Sequence, residues 1–339
     1  MAKRSFTKIP LLALFLAAVF ATAPVRAQTA APLEAVAQVD YGKWVFDTST
    51  DAGKLTCRFL RLTINDPDGD VRAGDCSIFT SPEGLVMVVD CGNALSCQEA
   101  LDSLGAMGVR KVDIFVASHP HADHIGGFAR LAEAYEIGQV YMNDHEYNSG
   151  TYRSMMKIIA EKNINMCRLH EGDRFDFSPS VSVTCYNPPA EFDFSAATQT
   201  AASIANEGSL CLKLAYGTSS FLTSGDMYIG SERRAAEVHG DALRADVSKM
   251  NHHGDSTSNS TDFITAVRPK VTVGMNEGIL SFVVNMRYQK VGSRTFFNCI
   301  DGAVKVASPG DGTYEVQTQY VRELTKIGVP SPDGRYLIK

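Results

Sequence analysis

The chain of 339 residues has no Cys-x-x-Cys pair, no Lys/Arg-rich run and no internal repeat. Past its N-terminal segment no stretch approaches twenty unbroken apolar positions. Each absence removes a class of protein. Without closely spaced cysteines or Cys/His pairs, a structural zinc knuckle has no ligands to start from. Without a second long apolar run, the mature chain has nothing with which to insert stably in a bilayer as a helix. Without clustered cations, and with a net charge of −6, the chain cannot hold phosphate backbones by bulk electrostatics. That argues against nucleic acid as a partner, although a local basic patch stays open.

The N-terminus reads differently from the rest. Lys3, Arg4 and Lys8 precede the apolar run "IPLLALFLAAVFA" and then "PVRAQ", with the small residues Val25 and Ala27 placed before Gln28. This pattern predicts a secretory signal peptide over residues 1–27, the run being short for a comfortable span; a retained membrane anchor is the other reading. Removing it takes away Lys3, Arg4, Lys8 and Arg26 and no acid, so the charge moves from −6 to −10. The expected location is outside the cytoplasm, periplasmic or secreted. No cysteine precedes Cys57, which excludes a lipid-modified cysteine at the cut. Eight cysteines in an exported chain make disulfides an expectation, with Cys91 and Cys97, which bracket a Gly-Asn turn, as the favoured local pair. Buried free thiols acting as small hydrophobes are the equal alternative.

Residues 28–54 show little periodicity and read as a lead-in, with the folded domain expected over 55–339. Strands are expected at 55–64, 76–80 and 85–90, the last two joined by the turn "SPEG". A helix follows over 96–108, then a short apolar run, "KVDIFVAS", that reads as a buried strand. Further strands are "QVYM", "VSVTCY", "LCLKLAY", "SFLTS", "VSKM" and "KVTVG"; helices are "GFARLAEAYE", "YRSMMKIIAEK", "SERRAAEVH" and "STDFITAV". Helices interleaved with β pairs predict a layered α/β sandwich.

The segment "SHPHADHIGG" follows the buried strand directly and places His119, His121, Asp123 and His124 within six positions, in a chain with only eight histidines. Imidazole and carboxylate are the ligands of zinc and its first-row neighbours. Two histidines two apart can converge on one ion while the Asp-His pair faces a second. Pro120 fixes the turn, and Gly126 and Gly127 let backbone approach closely. Asp226, after the apolar strand of "FLTSGD", could bridge two ions. "KMNHHGD" brings His252 or His253 to another strand end. His145, His170 and His239 stand alone and read as ordinary surface or loop residues.

With these residues in hand, the chain resembles the metallo-β-lactamase-fold hydrolases, most of all the branch that holds the hydrolase domain of DNA-uptake (competence) proteins and the teichoic-acid phosphorylcholine esterases. The resemblance rests on "AGDCSIFTSPEGLVMVVDCG", "VDIFVASHPHADHIGGF", "NEGSLCLKLAYGTSSFLTSGD", "MNHHGDSTSNS" and the tail "GSRTFFNCIDGAVKVASPGDGTYEV", over roughly residues 55 to 319. It implies a four-layer αβ/βα sandwich with two divalent metal ions, zinc first and manganese second. Carried over, His119 and His121 hold metal 1, Asp123 and His124 metal 2, Asp226 bridges, and His252 completes metal 2. His253 then stands as a proton donor or phosphate contact, a catalytic role shared with Asp123. Two departures matter. Asp255 stands where this branch has serine. Asn206 stands where many members carry a further histidine, which makes it a candidate metal or substrate contact and the site richer in oxygen.

The implied chemistry is hydrolysis by a metal-bound hydroxide that attacks phosphorus or a carbonyl carbon. The reading is an exported hydrolase of a phosphodiester-type substrate, a small molecule or a cell-envelope ester. The alternatives are a β-lactamase or lactonase acting at carbon, and a metal-binding envelope protein without activity. A flavodiiron-type redox role would want an acid where His121 stands. Neither the substrate nor the oligomeric state is legible.

Overall fold

The computed structural model describes residues 42–64, 71–196, 199–320 and 335–338. The predicted signal peptide lies outside them. Two sheets make the frame. The first runs Arg335–Ile338, Tyr314–Thr318, Val304–Ser308, Leu55–Phe59, Ser77–Thr80, Val86–Val89, Lys111–Val116, Glu136–Met142, Asn165–Arg168. The second runs Arg294–Phe297, Val271–Gly274, Val247–Lys249, Ser219–Thr223, Cys211–Tyr216, Val181–Asn187, Arg174–Ser178.

Side-chain alternation explains why the sheets stack. In Val86–Val89, Met87 and Val89 point into the core between the sheets, while Val86 and Val88 face the opposite way. Leu55, Cys57 and Phe59 meet Leu212, Leu214, Phe221, Val247 and Phe296 across the inner layer. The outer face of the first sheet is covered by Ala100 and Leu104 of helix Cys97–Ala106, Phe128 and Leu131 of Phe128–Ala134, and Met155 and Ile159 of Gly150–Glu161. The outer face of the second is covered from helices Ile229–His239, Thr261–Val267 and Phe282–Lys290. The result is the four-layer αβ/βα sandwich.

The predicted hairpin forms around Ser81–Gly84, where Gly84 N–H donates to Ser81 O at 3.0 Å. Leu55–Phe59 ends earlier than its apolar pattern suggested, and the lead-in is part of the fold from residue 42 onward. Val45 is fully buried, and its carbonyl accepts from the buried Arg58 Nε at 2.7 Å. Asp51 closes the same contact on Arg58 Nη2 at 2.5 Å. Helix Phe282–Lys290 was not legible, because Phe282, Val283 and Met286 are exposed and blur any apolar stripe. Among the described residues no helix is long and apolar enough to cross a membrane.

All eight cysteines are free, and the pair expected between Cys91 and Cys97 is absent. Each thiol instead donates to a carbonyl of the His-rich loop: Cys91 to His124 O and Cys97 to Gly127 O. Burial pushes both thiols up, Cys91 furthest, so neither is an easily formed thiolate. Denatured protein prepared without reductant should therefore titrate as eight thiols per chain, and a count lower by two would expose a disulfide.

Parallel pairing positions the site. Lys111–Val116 lies parallel to Val86–Val89 and to Glu136–Met142, so Asp90 and Ser118–His119 emerge side by side. In the second sheet Ser219–Thr223, Val247–Lys249 and Val271–Gly274 are parallel, and their carboxyl ends lead to Asp226, His252–His253 and Met275. Carboxyl ends of parallel strands are where such folds place ligands.

Candidate metal centre

The His-rich loop is held both by its own turn, where His124 and Ile125 N–H donate to His121 O at 3.0 Å, and by its neighbours. Ser118 N–H donates to Asp90 Oδ1 at 2.8 Å, and Leu210 N–H donates to Ser118 O at 2.8 Å. Asp123 and His124 lie in the one-turn helix Ala122–Ile125, with His121 at its N-cap. A Cβ on Gly127 would sit 2.3 Å from Cys91 O, which is the close approach expected of this glycine. Gly74, with φ +86°, is tighter: a Cβ there would lie 1.7 Å from Asp123 O. Only glycine lets the residue before Asp75 pass under Asp123.

Hydrogen-bond directions fix which nitrogen each histidine offers. Ser118 Oγ donates to Asp90 Oδ2 at 2.7 Å, so it accepts from His119 Nδ1 at 3.1 Å. His124 Nδ1 donates to Asp90 Oδ2 at 2.8 Å, and His253 Nδ1 to Asp75 Oδ1 at 3.0 Å. All three Nδ1 atoms are therefore occupied, and all three Nε2 atoms turn toward Asp226. Carboxylate or hydroxyl partners behind a ligating imidazole are the usual way to set its tautomer.

Asp226 Oδ2 is the common point. It lies 3.2 Å from His124 Nε2, 3.3 Å from His253 Nε2, and 3.8 Å from His119 Nε2 and from His252 Nε2. Asp123 Oδ2 stands 3.2 Å from His253 Nε2 and 3.8 Å from His124 Nε2. Ligands at 2.0–2.2 Å around a tetrahedral ion are separated by roughly 3.4 Å, so of these six groups His124, His253, Asp123 and Asp226 fit one ion. His119 Nε2 lies 2.9 Å from His121 Nδ1, and His121 Nε2 is buried with no hydrogen-bond partner among the described residues. Asp226 Oδ1 and Asn206 Oδ1 are orphaned in the same way. Orphaned buried donors and acceptors call for an explanation, and a cation among them supplies one.

Asp75, His124, Asp226 and His253 form a group whose ligand atoms all lie within 4.8 Å of one another and which could hold a metal ion. Asp75 is better placed behind the site than in it, since its oxygens are taken by His253 Nδ1 and by Lys249 Nζ at 2.6 Å. Asp123 has the more open carboxylate of the two.

The electrostatics are those of a site built for positive charge. Burial opposes ionisation of Asp226, yet the imidazoles of His124 and His253 hold its carboxyl well below the usual range. Burial would lower His124 and His253, but Asp226 raises both well above the ordinary imidazole value, with Asp90 and Asp123 acting on His124 and Asp75 on His253. The carboxylates that favour a proton on each ring favour a metal cation there too. His119 goes the other way, held well below its ordinary value by burial and by His124.

Sequence order and geometry part at the two adjacent histidines. His252 and His253 both take left-handed backbone, φ 48° and 56°, a sparsely populated conformation that costs energy and clusters at functional sites. It swings His253, not His252, between Asp123 and Asp226. The ring of His252 stands against Tyr228, with Nδ1 2.6 Å from Thr257 Oγ1 and Nε2 3.1 Å from Arg72 Nη1. Burial pushes His252 down to about 4. Glu232, fully buried, holds this loop by accepting from Asn251 Nδ2, Asn259 N–H and Ser260 N–H at 2.6–2.7 Å.

The cleft above the cluster has a volume of about 420 Å3. His121, Asp123, Asp226 and His252 line it, together with Arg72, Asn93, Asn206 and Tyr228. His145, expected at the surface, is buried, with Tyr147 stacked edge-on between it and His121. Burial pushes it down to about 4. His170 and His239 pair with Asp144 and Glu171 away from the cluster.

A family model described as the metallo-beta-lactamase superfamily matches residues 69–273. Competence protein ComA of Neisseria gonorrhoeae is 28% identical over 189 residues, 55% of this chain and 23% of that protein. ComE operon protein 3 of Bacillus subtilis (strain 168) is 22% identical over 170 residues, 50% of this chain and 20% of that protein. The matched part thus spans less than a quarter of either curated relative. Among solved structures, Zn(2+)-bound PqqB from Methylobacterium extorquens aligns with a TM-score of 0.46 at 11% identity, covering 71% of this chain and 97% of that one. CmlA, a diiron beta-hydroxylase from Streptomyces venezuelae, aligns with a TM-score of 0.44 at 11% identity, covering 71% and 52%. The matched residues take in the whole His-rich loop, Asp226 and both histidines after it, and on that ground the chain belongs to the metallo-beta-lactamase superfamily.

Proposed function

We propose that the chain is an exported metal-dependent hydrolase of phosphodiester-type substrates, with two divalent ions held about Asp226. The observation that carries this reading is the convergence of His124 and His253 Nε2 within 3.3 Å of one Asp226 oxygen, with His119 and His252 at 3.8 Å. His119, His121 and Asp226 would hold the first ion, and Asp123, His124, Asp226 and His253 the second. His253 takes the ligand place that sequence order assigned to His252. Bound divalent ions supply Lewis acidity and lower the pKa of water. Zinc suits the imidazoles, and Asn206 in place of a further histidine makes manganese acceptable.

The protein's own part is orientation. Asp90 and Asp75 keep the His124 and His253 rings turned inward, and Asn206 and Tyr228 wall the cleft against a substrate. Asn206 and the competence-protein resemblance favour phosphorus over carbon as the electrophile. The acidic chain disfavours long nucleic acid as that substrate, which leaves a small molecule or an envelope ester. Export rests on the pattern of residues 1–27.

The test is a panel on purified, metal-analysed protein: bis-p-nitrophenyl phosphate, p-nitrophenyl phosphorylcholine, nitrocefin and a neutral lactone. Chelation should abolish turnover and zinc or manganese restore it. The kcat/KM should be highest on a phosphodiester. A higher value on nitrocefin or the lactone would move the assignment to carbonyl chemistry, and metal binding without any turnover would leave a binding protein.

A further inference from the structure

Arg72 lines the cleft with Asn206 and Tyr228, on the segment that leads into Asp75. What holds it there is a directed chain of hydrogen bonds. Asp255 Oδ1 accepts from both the amide and the hydroxyl of Thr257, each at 2.8 Å. With its proton committed to Asp255, Thr257 Oγ1 can only accept from His252 Nδ1, at 2.6 Å. His252 Nε2 then carries a lone pair, and the guanidinium, which has donors and no acceptor, donates to it at 3.1 Å. Among the described residues this engages one of the five N–H donors of Arg72. Asp255 thus orients Thr257, and through it His252, by accepting from both donors of Thr257.

We propose that Arg72, positioned by His252, Thr257 and Asp255, is an anion clamp that binds the non-bridging oxygens of a tetrahedral phosphoryl group seated over Asp123 and Asp226. This deepens the phosphodiester reading and rests on it. A planar guanidinium matches two phosphate oxygens bidentately, whereas the neutral carbonyl of a lactone offers it no charge. Arg72 therefore discriminates between an anionic phosphoryl group and a neutral lactone at a site whose metal ligands alone would serve either. His252 is a positioning residue.

The test uses the full metal-loaded protein and inorganic phosphate as the probe, with binding read by calorimetry and competition read against bis-p-nitrophenyl phosphate. Arg72→Met should weaken phosphate binding about 10–100-fold, the worth of one or two hydrogen bonds to a charged group. KM for the diester should rise by a similar factor, with metal content held at the wild-type level. Arg72→Lys should recover part of the loss, because a point charge replaces the fork. Asp255→Ser and His252→Gln should weaken phosphate binding by smaller factors without emptying a metal site. The clamp is overturned if Arg72→Met binds phosphate within twofold of wild type, if wild type does not bind phosphate, or if His252→Gln loses a metal ion. A wild-type preference for the lactone would instead overturn the phosphodiester reading, and the phosphate titration would still decide on Arg72.

Discussion

Asp226→Ala should lose metal and turnover together, the largest functional effect expected from any single substitution in this chain. One oxygen of Asp226 stands 3.2–3.8 Å from four imidazole nitrogens, and its loss removes the group shared by both halves of the cluster. It also strips His124 and His253 of the carboxylate that does most to raise their affinity for positive charge. The loss should exceed the roughly 10–100-fold that follows when only a group orienting a ligand is removed. Asp90→Asn is the comparison. It leaves the ligands in place while weakening the hold on His124 Nδ1, so it should fall within that smaller range. Elemental analysis beside initial rates decides. An Asp226→Ala protein that keeps two ions per chain and hydrolyses at the wild-type rate would rule out a bridging carboxylate.

Much of this site is legible in the sequence because its chemistry is concentrated. His119, His121, Asp123 and His124 fall in six positions after an apolar strand, and no core requirement produces that pattern. Asp226 is legible by the same logic, a carboxylate where an apolar strand ends. The logic applies equally to Asp90 after "LVMVV", yet a lone aspartate before a Cys-Gly turn looks like turn chemistry until the parallel neighbour brings Ser118 and His124 against it. Asp75 and Lys249 are harder still. Asp75 lies just before one strand and Lys249 ends another, both strands reading as ordinary, and only the stacking of the two sheets brings them within 2.6 Å. Which of His252 and His253 reaches between Asp123 and Asp226 is not legible in the sequence. Family position points to the first, and the choice turns on two left-handed backbone conformations that residue identity does not announce. The layers themselves follow from alternation in strands such as Val86–Val89, whereas helix Phe282–Lys290 shows no clean stripe because three of its apolar side chains are exposed.

Lys249→Met should be the most destabilising substitution at the site. Lys249 and Asp75 are each about 2% exposed, their contact is 2.6 Å, and Lys249 Nζ also donates to Gly225 O at 2.9 Å and Met250 O at 3.1 Å. Burial alone would push the ammonium down, but Asp75 and Asp226 raise it, so the charged form is the one the fold contains. Methionine fills the volume and leaves Asp75 with His253 Nδ1 as its remaining partner. Breaking one side of a buried pair costs about 3–5 kcal/mol. Replacing both sides together, as Asp75→Leu with Lys249→Met, removes the stranded charge and should recover most of that stability. Recovery stays incomplete because the Gly225 and Met250 carbonyls lose a donor, at roughly 1–3 kcal/mol for a buried group left unpaired. Activity should not recover, since the double variant no longer orients His253. Urea unfolding of the metal-free proteins separates these terms from metal binding, and zinc titration of the same samples reads the orientation of His253. A Lys249→Met protein within about 1 kcal/mol of wild type would show that Asp75 is neutralised by His253 alone. A double variant with wild-type zinc affinity would show that Asp75 does not position the ligand in front of it.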